Sequence, residues 1–386
     1  MAYNTTIFGQ MIHFISRLDF KSIVNTHNGD HRVRTFSCWD QFVFLLFGQF
    51  SKRESLRETV ISINSIHSKL YHLGCKSVSR STFSDANNKR PFQIYQNLFY
   101  RLLHQTQKIA PKHKIKLNRK LYILDATTID LCLTLFPWAR FRKTKSAIRL
   151  HTLMQADGSL PVFLNITDGK IHESKAAKLI PIPRGSYLAI DRGYHDFNQY
   201  KTYINNNIRF VTRMKTNAKY QVIRTNQTET NSSVISDEII EFTGYYTHRK
   251  CPHYFRKIRY IDQERNKEII FLTNDLENTA QNIADIYKAR WDIELFFKTI
   301  KQNLKIKRFF GTTRNAVLTQ IWIAMIAYLM ISFFKFLHKT QLSIQQLFRI
   351  IQVNIFERKS LKDLIEYKIF KPPGVKNELQ ICLFKF

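Results

Sequence analysis

Between residues 121 and 214 short apolar runs alternate with amphipathic ones in an order that few folds accept. Leu121–Asp125 (LYILD) reads as a strand that ends in a carboxylate. Ile148–Gln155 and Leu160–Thr167 are two more strands, joined at Asp157-Gly158, a strong hairpin turn. A helix near Glu173–Leu179 comes next, and then a strand, Ser186–Ile190, runs straight into Asp191. A helix over Asp196–Asn206 and a strand over Arg209–Met214 complete the order β-β-β-α-β-α-β.

Three antiparallel strands followed by two parallel ones are the pattern of a ribonuclease H-like mixed α/β sheet. There the ends of the first and fourth strands are neighbours, so Asp125 and Asp191, 66 residues apart in sequence, are expected to converge. Taken singly, each aspartate reads better as a turn residue at a strand end. On these two strands together they read as a pair. Two adjacent carboxylates repel unless cations lie between them. Hard oxygen ligands at an open, hydrated site suit Mg²⁺. A third carboxylate would complete a site for two ions roughly 3.5–4 Å apart, the arrangement that activates a nucleophile and stabilises a leaving oxygen at a phosphodiester.

That third carboxylate is sought on a long helix expected over Thr279–Lys301. Tyr287, Arg290, Glu294 and Lys301 recur at steps of three, four and seven, which places them on roughly one helical face with Lys298 beside them. Ile286, Ile293, Leu295, Phe296, Phe297 and Ile300 form the apolar remainder. An acid flanked by a guanidinium, two ammoniums and a phenol suits a metal-ligating helix that grips a phosphate backbone. The plainer alternative is a solvated helix with pairs such as Glu294 with Lys298.

Charge narrows the partner. Lys and Arg number 60 against 29 Asp and Glu, a formal +31 spread along the whole chain, and a polyanion is the natural counterpart. Five scattered cysteines, none in a Cys-x-x-Cys pair, suggest neither a zinc site nor a disulfide framework and fit a reducing cytosol. The first residues lack the pattern of a signal peptide. Val317–Phe334 is apolar enough to approach a membrane span, but Thr319, Gln320 and Ser332 within it favour a buried core helix. No membrane partner is expected.

Around this centre, residues 1–105 read as helical, with helices at Trp39–Phe50 and from Ser55 onward. A cap at Ser79-Arg80-Ser81 would leave Arg80 facing outward, as either a helix-turn-helix-like DNA-binding module or a solvated corner. Residues 215–273 alternate in β fashion and look like an insertion. Residues 338–386 read as a helical, basic C-terminal segment. Trp138–Lys145 interleaves aromatics with Arg140, Arg142, Lys143 and Lys145, a candidate DNA contact or a solvated loop. His172-Glu173 could lie near the metals, though such histidines more often cap a helix.

The run Tyr, two residues, Arg, three residues, Glu, six residues, Lys at Tyr287, Arg290, Glu294 and Lys301 resembles the signature of the insertion sequence family 4 transposases. Asp191-Arg192-Gly193-Tyr194 is similar to that family's second-aspartate motif, and LDATTID around Asp125 to its first. The resemblance covers about residues 116–337, and more loosely an N-terminal domain over the first 75. It implies a bacterial DDE-type enzyme, cytoplasmic and associated with the nucleoid. Such an enzyme cleaves DNA at transposon ends and transfers the freed 3′-hydroxyl into target DNA. Asp125, Asp191 and Glu294 would be its catalytic and metal-ligating residues, with two Mg²⁺ ions or Mn²⁺ in their place. Tyr287, Arg290, Lys298, Lys301 and Arg192 would contact DNA. The partners implied are the terminal inverted repeats, target DNA and a second copy in a synaptic complex. Members that excise through a hairpin stack a flipped base on a tryptophan of the insertion. Here that segment has none, which leaves Tyr245, Tyr246 or Tyr254. The rival readings are a catalytically silent DNA-binding descendant and a ribonuclease H-like nuclease.

Overall fold

The computed structural model describes residues 5–366 apart from 143, 171–172, 229–232, 264–265 and 305–307. Seven helices lead: α1 (Ile7–His13), α2 (Arg17–Thr26), α3 (Cys38–Phe50), α4 (Leu56–Asn64), α5 (His67–Leu73), α6 (Arg80–Lys89) and α7 (Gln93–Gln107). Side-chain oxygens start most of them, as Ser37, Ser55 and Ser79 do for α3, α4 and α6, by accepting from an amide of the first turn that has no helical partner.

The sheet then begins with β1 (Leu121–Leu131), β2 (Arg140–Arg142), β3 (Lys145–Gln155) and β4 (Leu160–Asp168). After α8 (Glu173–Ala177) come β5 (Tyr187–Ile190), α9 (Phe197–Asn205) and β6 (Arg209–Arg213). β3 runs antiparallel to both β1 and β4, whereas β5 is parallel to β1 and β6 parallel to β5. The expected strand at residue 121 does not stop at Asp125. It continues to Leu131 because β3 pairs with it along its full length, while β5 on its other side pairs only with residues 121–124. Asp125 is thus the first β1 residue beyond the β1–β5 ladder.

The β-rich stretch forms β7 (Tyr220–Thr225), β8 (Val234–Phe242), the short α10 (Tyr245–Lys250), β9 (Phe255–Asp262) and β10 (Lys267–Thr273). It does not stand apart from the sheet. β10 pairs antiparallel with β6, so the strands continue as one sheet in the order β2-β3-β1-β5-β6-β10-β9-β8-β7, with β4 also on β3. Arg256 of β9 holds Asp237 of β8 through Nε at 2.7 Å, both side chains buried, which locks the added strands together.

The helix expected over Thr279–Lys301 is two helices, α11 (Ala280–Lys288) and α12 (Trp291–Asn303). Three i→i−3 bonds (Arg290 N to Tyr287 O, Asp292 N to Ala289 O, Ile293 N to Arg290 O) overwind the chain between them. The break interrupts the helical ladder but leaves Tyr287, Arg290 and Glu294 adjacent, the Arg290 guanidinium 5.7 Å from the Tyr287 ring and bonded to Glu294. Leu295, assigned to the apolar side, is 45% exposed, while Ile293, Phe296, Phe297 and Ile300 are buried.

α13 (Arg314–Leu337) is long and apolar enough to cross a membrane, but 94% of its most apolar window is buried in the protein. It packs chiefly on α7 and α3 and also touches α12, where the rings of Phe296 and Tyr328 lie 4.9 Å apart. Trp322 sits 5.2 Å from Phe99 and 5.8 Å from Tyr100, ring centre to ring centre. α13 thus joins the leading helices to the sheet in one continuous apolar core, which takes in Leu121, Ile123, Tyr187, Ala189 and Ile293. A second core on the opposite sheet face holds Tyr122, Leu124, Leu188 and Ile190. α14 (Ile344–Asn354) and α15 (Leu361–Glu366) follow. The chain after α14 returns to α1, where Ile7 N and Phe8 N donate to Glu357 O and Ile355 O.

Candidate active site

Side chains on a strand alternate between faces. Leu121 and Ile123 point into the core that contains α12, Tyr122 and Leu124 into the other, and the same alternation divides Tyr187 and Ala189 from Leu188 and Ile190. Asp125 and Asp191 are next in each odd-numbered series, so both belong to the α12 face. The parallel register pairs Leu121 with Tyr187 and Leu124 with Ile190, which puts Asp125 and Asp191 next in step on adjacent strands. β6 extends the row. Tyr187 pairs with Arg209 and Ala189 with Val211, so the position matching Asp191 is Arg213.

The side chains confirm that row. Arg213 Nη2 donates to Asp191 Oδ1 at 3.0 Å. Asp191 also caps a 3-10 turn over Arg192–Tyr194, accepting from Gly193 N at 3.3 Å. Burial pushes its carboxyl up. The Arg213 bond, the turn amides and the charge of Arg290 outweigh that and hold it below the usual carboxylate range. From the helix side Arg290 reaches in, donating Nη1 to Asp125 Oδ2 at 2.9 Å and Nη2 to Glu294 Oε1. One guanidinium thus spans the β1 carboxylate and the α12 carboxylate. Glu294 is paired with Arg290, not with Lys298 as a plain solvated helix would have it.

Arg213 was missed in sequence. Its signal was available, because the strand Arg209–Arg213 ends in a cation 22 residues after Asp191, the same offset as every other β5–β6 pair. Tyr287 lies before the helix break and is 7% exposed, its ring 5.1 Å from Phe271. Its hydroxyl is buried without a partner, as are Nε of Arg290 and Nε of Arg213. Lys298 and Arg192 are exposed and Lys301 is half-buried.

Other expected contacts lie farther out. Arg140, Arg142 and Lys145 are exposed on the β2–β3 ribbon, where Ser146 pairs with Leu131. Six residues of strand separate Leu131 from Asp125, so this ribbon is about 20 Å from the carboxylates. Arg80 is exposed on the first turn of α6. Tyr245 and Tyr254 are 72% and 54% exposed. His172, the side chains of Glu173 and Tyr246, and Lys143 lie outside the described residues.

Among the described residues no three His, Cys, Asp or Glu side chains approach as a metal cage. Arg290 lies between Asp125 and Glu294, and Arg213 holds Asp191 from the β6 side. The donor set nevertheless fits a hard divalent cation, since it offers carboxylate oxygens only, and the position such an ion would neutralise already attracts positive charge.

A mixed sheet that carries aspartates in step along adjacent parallel strands, faced by a glutamate helix in a strongly basic chain, points to a phosphodiester-acting class of protein. Comparison with known proteins gives the family. The model of the transposase DDE domain matches residues 116–330, more than half of the chain, and the chain belongs to that family. Residues 3–76 match a second model, a domain of unknown function. Three relatives are named as transposases. One from Sinorhizobium fredii is 28% identical, covering 78% of this chain and 82% of its own. One from Geobacillus stearothermophilus, for insertion sequence element IS5377, is 26% identical over 86% and 85%. One from Synechocystis, for insertion sequence element IS4SA, is 27% identical over 72% and 77%. The protein is a DNA transposase of the bacterial insertion-sequence type, an enzyme that cleaves and transfers DNA strands. DDE transposase domains generally use divalent metal ions, and DNA is the partner the family implies.

Proposed function

We propose that Asp125, Asp191 and Glu294 are the catalytic carboxylates and that they hold two Mg²⁺ ions, with Mn²⁺ an acceptable substitute. The observation that carries this reading is the register: Asp125 and Asp191 are the next residues in step on two parallel strands, and Glu294 is tied to Asp125 through one guanidinium. The strands β4-β3-β1-β5-β6, antiparallel over the first three and parallel over the last two, support a ribonuclease H-like core beneath the added β7–β10.

When bound, the ions supply Lewis-acid stabilisation of the attacking and leaving oxygens of the scissile phosphodiester. The chain supplies the rest. Asp191 stays ionised because Arg213 and the amides of the Arg192 turn favour its charged form. Arg290, Lys298, Lys301 and Arg192 border the carboxylates and offer charge-assisted bonds to backbone phosphates, which hold the scissile bond in place. Arg140, Arg142, Lys145 and Arg80 grip DNA farther from the reaction, positioning the strand rather than reacting with it. Tyr287 is buried beside Arg290, so its contribution to DNA binding is through that neighbour. Water attacks first at the transposon end, and the freed 3′-hydroxyl then attacks target DNA.

The division of labour that fits this is a DNA-binding helical region over 1–105, a catalytic region over 116–337 including the 215–273 strands, and a basic C-terminal segment over 338–386. Both ends of a transposon must be joined, so the working form is a homodimer or larger synaptic complex, acting in the bacterial cytoplasm. Incubation with DNA carrying the ends of its own element tests the first step. Nicks that leave a 3′-hydroxyl at the element end with Mg²⁺, and none with EDTA, are expected. Equal nicking in EDTA, or nicks scattered without regard to the end, would refute the reading.

A further inference from the structure

We propose that Arg290 is the resident cation of the metal-free centre, and that Asp125 and Glu294 are released to divalent ions only when a DNA phosphate draws its guanidinium away. The inference rests on the assignment of the three carboxylates given above and adds that their loading with metal is coupled to DNA binding.

The geometry is the first support. A guanidinium satisfies a single carboxylate best in a two-pronged grip on one partner. Arg290 instead splits its two terminal nitrogens between two carboxylates from different elements, Asp125 on β1 and Glu294 on α12. Its side chain is 14% exposed, so this is an enclosed position rather than a surface pair. The oxygens it occupies are the ones a divalent ion needs, so arginine and metal compete for the same ligands and repel each other.

Unused donors are the second support. Nε of Arg290, Nε of Arg213 and the Tyr287 hydroxyl are buried without partners, and Tyr287 is 7% exposed. Buried polar groups are rarely left unpaired. Three of them beside one carboxylate cluster mark a place built for an acceptor that the protein does not itself provide. A phosphodiester oxygen has that chemistry, and guanidinium is the side chain best matched to it. A phosphate arriving there would satisfy these donors and give Arg290 a better partner than the carboxylates it leaves.

Coupling of this kind is reciprocal, so DNA strengthens metal binding and metal strengthens DNA binding by the same factor. The expected factor is about 5–150-fold, the usual range for linked sites. A purely supporting role for Arg290 predicts the opposite sign for its removal. Without their counter-cation the carboxylates would repel and splay, and metal affinity would fall.

The test is Mn²⁺ binding to the full chain followed by the electron spin resonance of the free ion, with and without a short duplex, with the binding of duplex alone subtracted. For Arg290→Gln the free protein should bind Mn²⁺ about tenfold more tightly than wild type, and the gain on adding duplex should largely disappear. Arg290→Lys keeps a charge but cannot bridge two carboxylates, so it should fall between the two and covers the case of a misfolded glutamine variant. Equal or weaker Mn²⁺ binding in both variants, with the duplex effect intact, overturns the proposal. Asp125→Asn separates the two levels of inference. If it leaves Mn²⁺ binding unchanged, the carboxylate assignment itself fails. If it removes binding while the Arg290 variants behave as wild type, only the resident-cation role fails.

Discussion

Asp125→Ala should lower end cleavage on the order of 10⁴-fold while leaving DNA binding in metal-free buffer as tight as in wild type. That loss corresponds to about 5 kcal/mol of transition-state stabilisation, the scale expected when a member of a metal-holding set is removed. Binding is spared because the side chain lost is an anion, and its removal takes away repulsion from the phosphates rather than attraction. Folding is spared as well, since Arg290 keeps Glu294 as a partner. Asp130 supplies the control. It lies five residues along the same strand, in the even-numbered series, and is exposed, so Asp130→Ala should cleave like wild type. Gel-shift titration in EDTA beside a cleavage time course in Mg²⁺ separates the two effects. A variant that cleaves at a tenth of the wild-type rate or better would remove Asp125 from the centre.

Trp322→Ala should cost about 3–5 kcal/mol of stability, among the largest effects available in this chain. Trp322 is 2% exposed and fills the junction where α13 meets Phe99 and Tyr100 of α7. Its indole nitrogen is buried without a partner, so truncation forfeits packing and leaves a cavity but breaks no hydrogen bond. For a chain of this size the melting midpoint should fall by roughly 4–6 °C. Because α13 belongs to the same core as Ile123 and Ala189, the loss should appear in the whole chain and not only in the leading helices. Trp322→Phe, which refills most of the volume, should recover most of it. A drop of under a degree in the alanine variant would show that the junction contributes little.

What the sequence made legible follows from local rules. The helix start at Ser55, the cap at Ser79, the Asp157-Gly158 turn and the strands of residues 148–213 all rest on signals confined to a few residues. The row of Asp125 and Asp191 could be read because parallel strands carry a constant offset. The readings that failed depended on partners the sequence does not name. β1 runs on past Asp125 because β3 is there to pair with it, which no feature of LYILD could show. The continuous helix over Thr279–Lys301 was a fair inference from periodicity, but the i→i−3 bonds at Ala289–Ile293 turn Tyr287 toward Phe271 and place Arg290 between the carboxylates. How the 215–273 insertion joins the sheet was not legible, because nothing in the alternation of its strands shows that β10 finds β6. Arg213 went unnoticed because a cation at a strand end is unremarkable until the register sets it beside Asp191.

The most direct test of the central claim is strand transfer from a precut end. An element-end duplex with its 3′-hydroxyl already free is mixed with supercoiled plasmid and Mg²⁺, with wild type or Glu294→Ala. Wild type should join the 3′-hydroxyl end to the plasmid, with no joining in EDTA or in the variant. A wild-type protein that binds the precut end but never joins it, or a Glu294→Ala protein that joins it as well as wild type, would contradict the account.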